Sequence, residues 1–111
     1  MSAESTIVFY GIRYEVPVER LEELETNSHP LIKKARSAGL DFYGGNFAEP
    51  DERYYLFVGK KVGILGAENV AEVMVKDQQL LEIVKVTRQK LSAAEVEGEP
   101  QLYVQWMPDA S

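Results

Sequence analysis

The residues of this chain that invite a chemical reading fall into a few groups, and most lack the spacing their chemistry requires. Gly59-Lys60-Lys61 suggests a phosphate loop, but the glycine that folds such a loop back would stand at position 54, which is Tyr54, and the Ser or Thr after the lysine is replaced by Lys61. Gly59, Gly63 and Gly66 miss the dinucleotide pattern because position 61 carries no glycine. They read as glycines that permit bulges and twist in one long strand. His29 is the only histidine, which excludes a histidine-rich metal site; a catalytic role for it would need Asp41 or Glu49 brought alongside by the fold. With no cysteine there is no thiolate metal site, disulfide or cysteine nucleophile. The 18 Asp and Glu residues include no pair whose spacing singles it out for acid–base work. The sequence therefore calls for no catalytic set, no metal site and no cofactor.

Two further groups point to recognition. Lys33, Lys34 and Arg36, with Lys60 and Lys61, make a local basic set near aromatics such as Tyr43, Tyr55 and Phe57, as a single-strand RNA platform would. The aromatic and basic run of RNA-recognition sheets is absent, however, and a net charge of -6 opposes a polyanionic partner. Tyr10, Tyr14, Tyr43, Tyr54, Tyr55 and Tyr103 fall on segments that read as strands, where they either rim a core or present an amphipathic face to a partner.

The elements that must position these residues follow from periodicity. Residues 7–16 alternate, with Val8, Tyr10, Ile12, Tyr14 and Val16 on one face; the other face, Ile7 to Glu15, turns polar along its length, so only its first half should be covered. Pro17 ends this strand. Acidic residues around Leu21 and Leu24 favour a short helix, Asn27-Ser28 breaks it, and Pro30 opens a second helical segment that Gly39 stops. Residues 40–47 and 53–66 form an antiparallel hairpin around the polar link 48–52, with Gly44-Gly45 marking a bulge or a close backbone approach. Residues 71–75 read as a short strand, and Asp77 as the N-cap of an amphipathic helix over 78–94 with Val86 outside its apolar stripe. Leu102, Val104 and Trp106 alternate with Tyr103, Gln105 and Met107 in a final strand closed by Pro108.

The expected fold is α+β, a mostly antiparallel sheet of four to five strands with helices packed on one face. Its element order, β-α-β-β-(β)-α-β, matches the split β-α-β arrangement of ferredoxin-like domains, which hosts many functions. The 111 residues suit one domain with residues 1–5 and 109–111 as flexible termini. No basic leader or apolar run of membrane-spanning length is visible, and the expected location is the cytoplasm.

Functionally the sequence points to a non-enzymatic protein-interaction module of the adaptor, regulator or toxin-neutralising kind, using strand-borne aromatics and an acidic surface. The hairpin residues Tyr43, Gly44, Gly45, Asn46, Arg53, Tyr55 and Phe57 are its candidate contacts. A protein partner or self-association is expected, with nucleic acid and membrane disfavoured. The alternative is a small-molecule-binding or enzymatic domain with a sheet–helix cleft lined by Tyr10, Tyr14, Tyr43, Tyr55 and Trp106.

Overall fold

A computed structural model describes residues 5–48 and 53–107, so Pro108, Glu49 and most of the 48–52 link lie outside the described residues. The chain runs β1 (Ser5–Val16), a 3-10 turn (Val18–Arg20), α1 (Leu21–Glu25), α2 (Pro30–Ala38), β2 (Asp41–Ala48), β3 (Arg53–Gly66), α3 (Asp77–Ala93) and β4 (Gln101–Met107). The class is α+β: an open, antiparallel four-stranded sheet in the order β2-β3-β1-β4, with helices against one face.

Several boundaries have plain local causes. Asn27 takes a left-handed φ of 55° and ends α1. His29 caps α2 through Nδ1, which accepts the Leu31 amide at 3.1 Å, and Pro30 opens the first turn at no cost in hydrogen bonds. Gly39, at φ 72°, supplies the left-handed residue that ends α2. Lys76, rather than Asp77, is the N-cap of α3: the Gln79 side chain accepts the Lys76 amide at 3.1 Å, and Asp77 moves into the first turn, where its charge meets the helix dipole. Val86 is half-buried rather than outside the packed stripe.

Three expectations need correction. Ser5 is not part of a flexible terminus; it is buried and pairs with both Gly66 and Met107, whereas residues 1–4 and 109–111 lie outside the described residues. The β2 irregularity falls between Asn46 and Ala48, not at Gly44-Gly45. Residues 71–75 form no strand: Val70 makes an isolated parallel bridge to Leu65, and Val73 then packs onto the sheet face, 2.7 Å from where a Cβ on Gly63 would stand. Burial of Val73 against that glycine outweighs the strand propensity of the valine-rich segment.

The two faces of the sheet carry separate cores. On the helix side Ile12, Val16, Leu56 and Val58 pack with Ile32 and Ala35 of α2, Leu91 of α3, and Leu40 and Val96. On the other side Ile7, Phe9, Tyr55, Phe57 and Met107 are buried with Tyr43, Ile64 and Tyr103 packed around them, although no helix of the described residues belongs to this cluster. The sheet covers this second core by folding on itself. Gln105 pairs with Ile7. Arg13 stands six residues further along β1, about 20 Å on a flat strand. Yet the Arg13 guanidinium donates to Gln105 Oε1 at 2.7 Å, which no pair of side chains on a flat sheet would allow. The edge strands β2 and β4 likewise approach within 8 Å at Cα.

The bend lies at the paired glycines Gly11 and Gly59. A Cβ on Gly11 would stand 2.1 Å from the Val58 carbonyl oxygen and one on Gly59 2.3 Å from that of Tyr10, so the two backbones approach where every other residue would hold them apart. A second irregularity, which skips Val62 between the pairs Val8–Gly63 and Phe9–Lys61, adds twist on the same stretch. The concave side thus closes over Phe9, Phe57 and Ile7, all fully buried.

Candidate interaction surface

The hairpin predicted to hold the contact residues does form. Tyr43 pairs with Phe57, Gly44 with Leu56, Gly45 with Tyr55, Asn46 with Tyr54, and Ala48 with Arg53. Register divides the set between faces. Tyr43, Gly45, Tyr55 and Phe57 lie on the concave side, where Phe57 is fully buried and Tyr55 nearly so. Gly44 lies on the helix side beneath Leu24, whose Cδ2 would be 3.6 Å from an added Cβ, an ordinary contact. Asn46 and Arg53 are placed by backbone register alone. The aromatic part of the predicted set therefore builds the core.

Arg13 closes the concave core. Its guanidinium stacks 4.5 Å from the Tyr55 ring centroid and 5.0 Å from that of Tyr103, while Phe57 and Tyr103 meet edge to face at 5.5 Å. None of the six tyrosines is fully exposed, so strand-borne tyrosine is not the outward surface. Nor do the expected cleft residues converge: Tyr10 and Tyr14 face the helices, Tyr43 and Tyr55 the concave side, and Trp106 solvent. Tyr14 donates its hydroxyl to the Glu97 carbonyl, and burial followed by the Glu97 charge pushes its phenol pKa up.

The titratable candidates have structural partners. His29 is buried, and burial, then the Arg20 charge, lower its pKa against a smaller opposing effect of Glu23. Asp41, once a candidate partner for it, instead accepts the Lys61 amide at 2.9 Å and sits 3.9 Å from the Lys60 ammonium. Of the basic set, Arg36 lies over Phe42, whereas Lys33 and Lys34, joined by Lys90 from outside the set, line a groove of about 500 Å³ between α2 and α3. Lys34 and Lys90 bond the carbonyls of Glu95 and Gly39, so they serve chain reversals after the two helices. Among the described residues no cluster of His, Asp and Glu is arranged to hold a metal ion, and no helix is long and apolar enough to cross a membrane.

Large hydrophobic residues are exposed at several places among the described residues, Val18, Val70 and Met74 included, but three of them share one side of β4. Leu102, Val104 and Trp106 are 50%, 64% and 53% exposed. They lie on the helix side of the sheet, opposite Tyr10, Val8 and Thr6, but beyond the bend burial on this side reaches Tyr10 and Val8 on β1 and stops short of β4. Arg88 of α3 bonds Glu99 at 3.2 Å and lies against Tyr10, which directs that stripe of the helix toward β4. Leu81, seven residues earlier on the same stripe and 70% exposed, looks the same way. The resulting surface is a ridge of three apolar residues on an edge strand, with Leu81 on the flanking helix. Strand alternation announced the ridge residues, but nothing in the sequence said which face the helices would leave bare. No protein-family model, curated protein or solved structure matches this chain.

Proposed function

We propose that this chain is a non-enzymatic protein-interaction module that docks a protein partner along β4. The observation that carries this reading is the exposure of Leu102, Val104 and Trp106 together on a strand at the edge of the sheet. Single exposed apolar residues are ordinary, whereas a contiguous set including a tryptophan on an open edge is the composition of an interface core. An edge strand also offers unpaired backbone groups that an incoming segment can use.

We further read the architecture as ferredoxin-like. Two observations support that reading: one helical connection lies between β1 and β2 and another between β3 and β4, and β1 and β3 are the inner strands of the order β2-β3-β1-β4.

Site-specific photo-crosslinkers placed at positions 104 and 106, with position 22 of α1 as control, test the docking surface in the native host. Covalent capture of a protein from 104 and 106 but not from 22 is the expected result. Absence of capture from both ridge positions refutes the assignment.

A further inference from the structure

Resting on that reading, we infer that the occupant of the ridge is a second copy of this chain, paired antiparallel through β4 about a two-fold axis at Val104. The strand is built for such pairing. Val104 is the midpoint of β4, and Pro100 and Pro108 stand four residues to either side, so two copies related through Val104 overlap along all of β4 and stop at the prolines. In that register Leu102 of one copy meets Trp106 of the other, and Val104 meets its own equivalent. The three exposed apolar positions of each chain are thereby satisfied by the same three positions, as a two-fold interface requires.

Charge favours the same occupant. A chain of net charge -6 resists its own approach nearly everywhere, but β4, Gln101-Leu102-Tyr103-Val104-Gln105-Trp106-Met107, contains no charged residue. Edge strands that must stay single are blunted by lysine, internal proline or a bulge. β4 has none of these and pairs with β1 in unbroken register from Gln101 to Met107. The opposite edge differs, since β2 carries Gly44-Gly45 and a register shift after Asn46.

The area sets the strength. With 150–250 Å² for a large aromatic side chain, the exposed parts of Leu102, Val104 and Trp106 amount to roughly 300 Å² per copy. The strand edge itself brings two copies to about 1,000 Å², the lower bound of a specific interface and suited to a dimer of about micromolar affinity.

Sedimentation equilibrium of the full chain from about 1 to 500 μM should show a monomer–dimer transition. Val104→Lys sets two ammonium groups against each other on the axis and should weaken the dimer by roughly 100-fold or more. Position 104 is exposed in the monomer, and circular dichroism checks that the variant remains folded. Leu102→Glu and Trp106→Lys report the register: each alone should be mainly monomeric, whereas their mixture should form a heterodimer. In that heterodimer the carboxylate introduced at position 102 faces the ammonium introduced at position 106, while the other side retains Trp106 against Leu102. A wild-type chain that stays monomeric throughout, a Val104→Lys variant that dimerises like wild type, or a mixture with no preference for the heterodimer overturns the inference. If the wild type is monomeric and the position-106 crosslinker captures a different protein, self-pairing falls while docking along β4 stands. Capture of nothing sinks both.

Discussion

Replacing Gly11 by alanine attacks the bend on which the concave core depends. The added methyl would lie 2.1 Å from the Val58 carbonyl oxygen and 2.9 Å from the Gly59 Cα, both backbone atoms that no rotamer change can move aside. Separating the strands by the ångström or so needed for ordinary contact sacrifices the ladder hydrogen bonds flanking the pair, about 1 kcal/mol each. It also opens the packing of Phe9 against Phe57, whose rings lie 5.3 Å apart, and overpacking of this kind costs about 1–3 kcal/mol more. The total, about 3–5 kcal/mol, is a large part of the stability of a domain this size. At about 2.1 cal/mol/K of unfolding entropy per residue it corresponds to a fall in Tm of roughly 13–21 °C. Gly44→Ala is the control: its methyl meets Leu24 at 3.6 Å and the Tyr55 carbonyl oxygen at 3.7 Å, both ordinary contacts, so its effect should stay within about 1 kcal/mol in either direction. Urea titrations of the two variants and wild type measure the difference. Equal midpoints for Gly11→Ala and Gly44→Ala would refute the bend as described.

Two further perturbations separate the supports of the two faces. Acid should loosen α2 through His29: its folded pKa lies below the unfolded value near 6.5, so its contribution is full above that value and is lost as pH falls from there through the folded pKa. Urea midpoints measured between about pH 8 and pH 5 should fall over that window, and His29→Asn, which can still accept the Leu31 amide but does not titrate, should flatten the fall; equal slopes for both proteins would dismiss His29 as the cause. On the concave side, Arg13→Lys keeps the charge but loses the planar stack on Tyr55 and Tyr103 and the fixed donor to Gln105, and should cost about 1–2 kcal/mol with a changed near-ultraviolet circular dichroism of the tyrosines. An unchanged spectrum and midpoint would mean that Arg13 does not hold the folded sheet closed.

Local rules carried the sequence reading wherever the deciding interaction lay within a few residues. The alternation of 7–16, the Asn27 break, the His29-Pro30 start, the Gly39 stop and the long strand 53–66 all have such causes, and all stand in the structure. The reading of β1 as covered on only half of its second face also holds, since Ile7 and Phe9 are buried while Arg13 and Glu15 are exposed. It faltered where a partner distant in sequence decides. Val73 needed Gly63 to draw it off the strand path, and the role of Gly44-Gly45 depended on Leu24 lying over one of them. The aromatic hairpin was legible as a hairpin, but whether Tyr55 and Phe57 face solvent turns on a bend set by Gly11, more than 40 residues away.

That bend also links the core to the proposed surface. A flat sheet of four strands would lay β4 beside β1 under the same helices, and Leu102, Val104 and Trp106 would belong to the helix-side core, as their alternation with Tyr103, Gln105 and Met107 suggests. Folding at Gly11–Gly59 turns β4 and the first half of β1 away from α2 and toward β2. This turn buries Met107 and packs Tyr103 against Phe57. The same turn carries the opposite side of β4 out from beneath the helices, which leaves Trp106 half exposed. Burial of one face and exposure of the other are thus two consequences of one glycine pair. A substitution that straightens the sheet should therefore release the concave core and withdraw the ridge together, and Gly11→Ala should weaken self-association at protein concentrations and temperatures where the chain is still folded. Loss of stability without loss of self-association would separate the ridge from the bend and leave β4 exposed for some other reason.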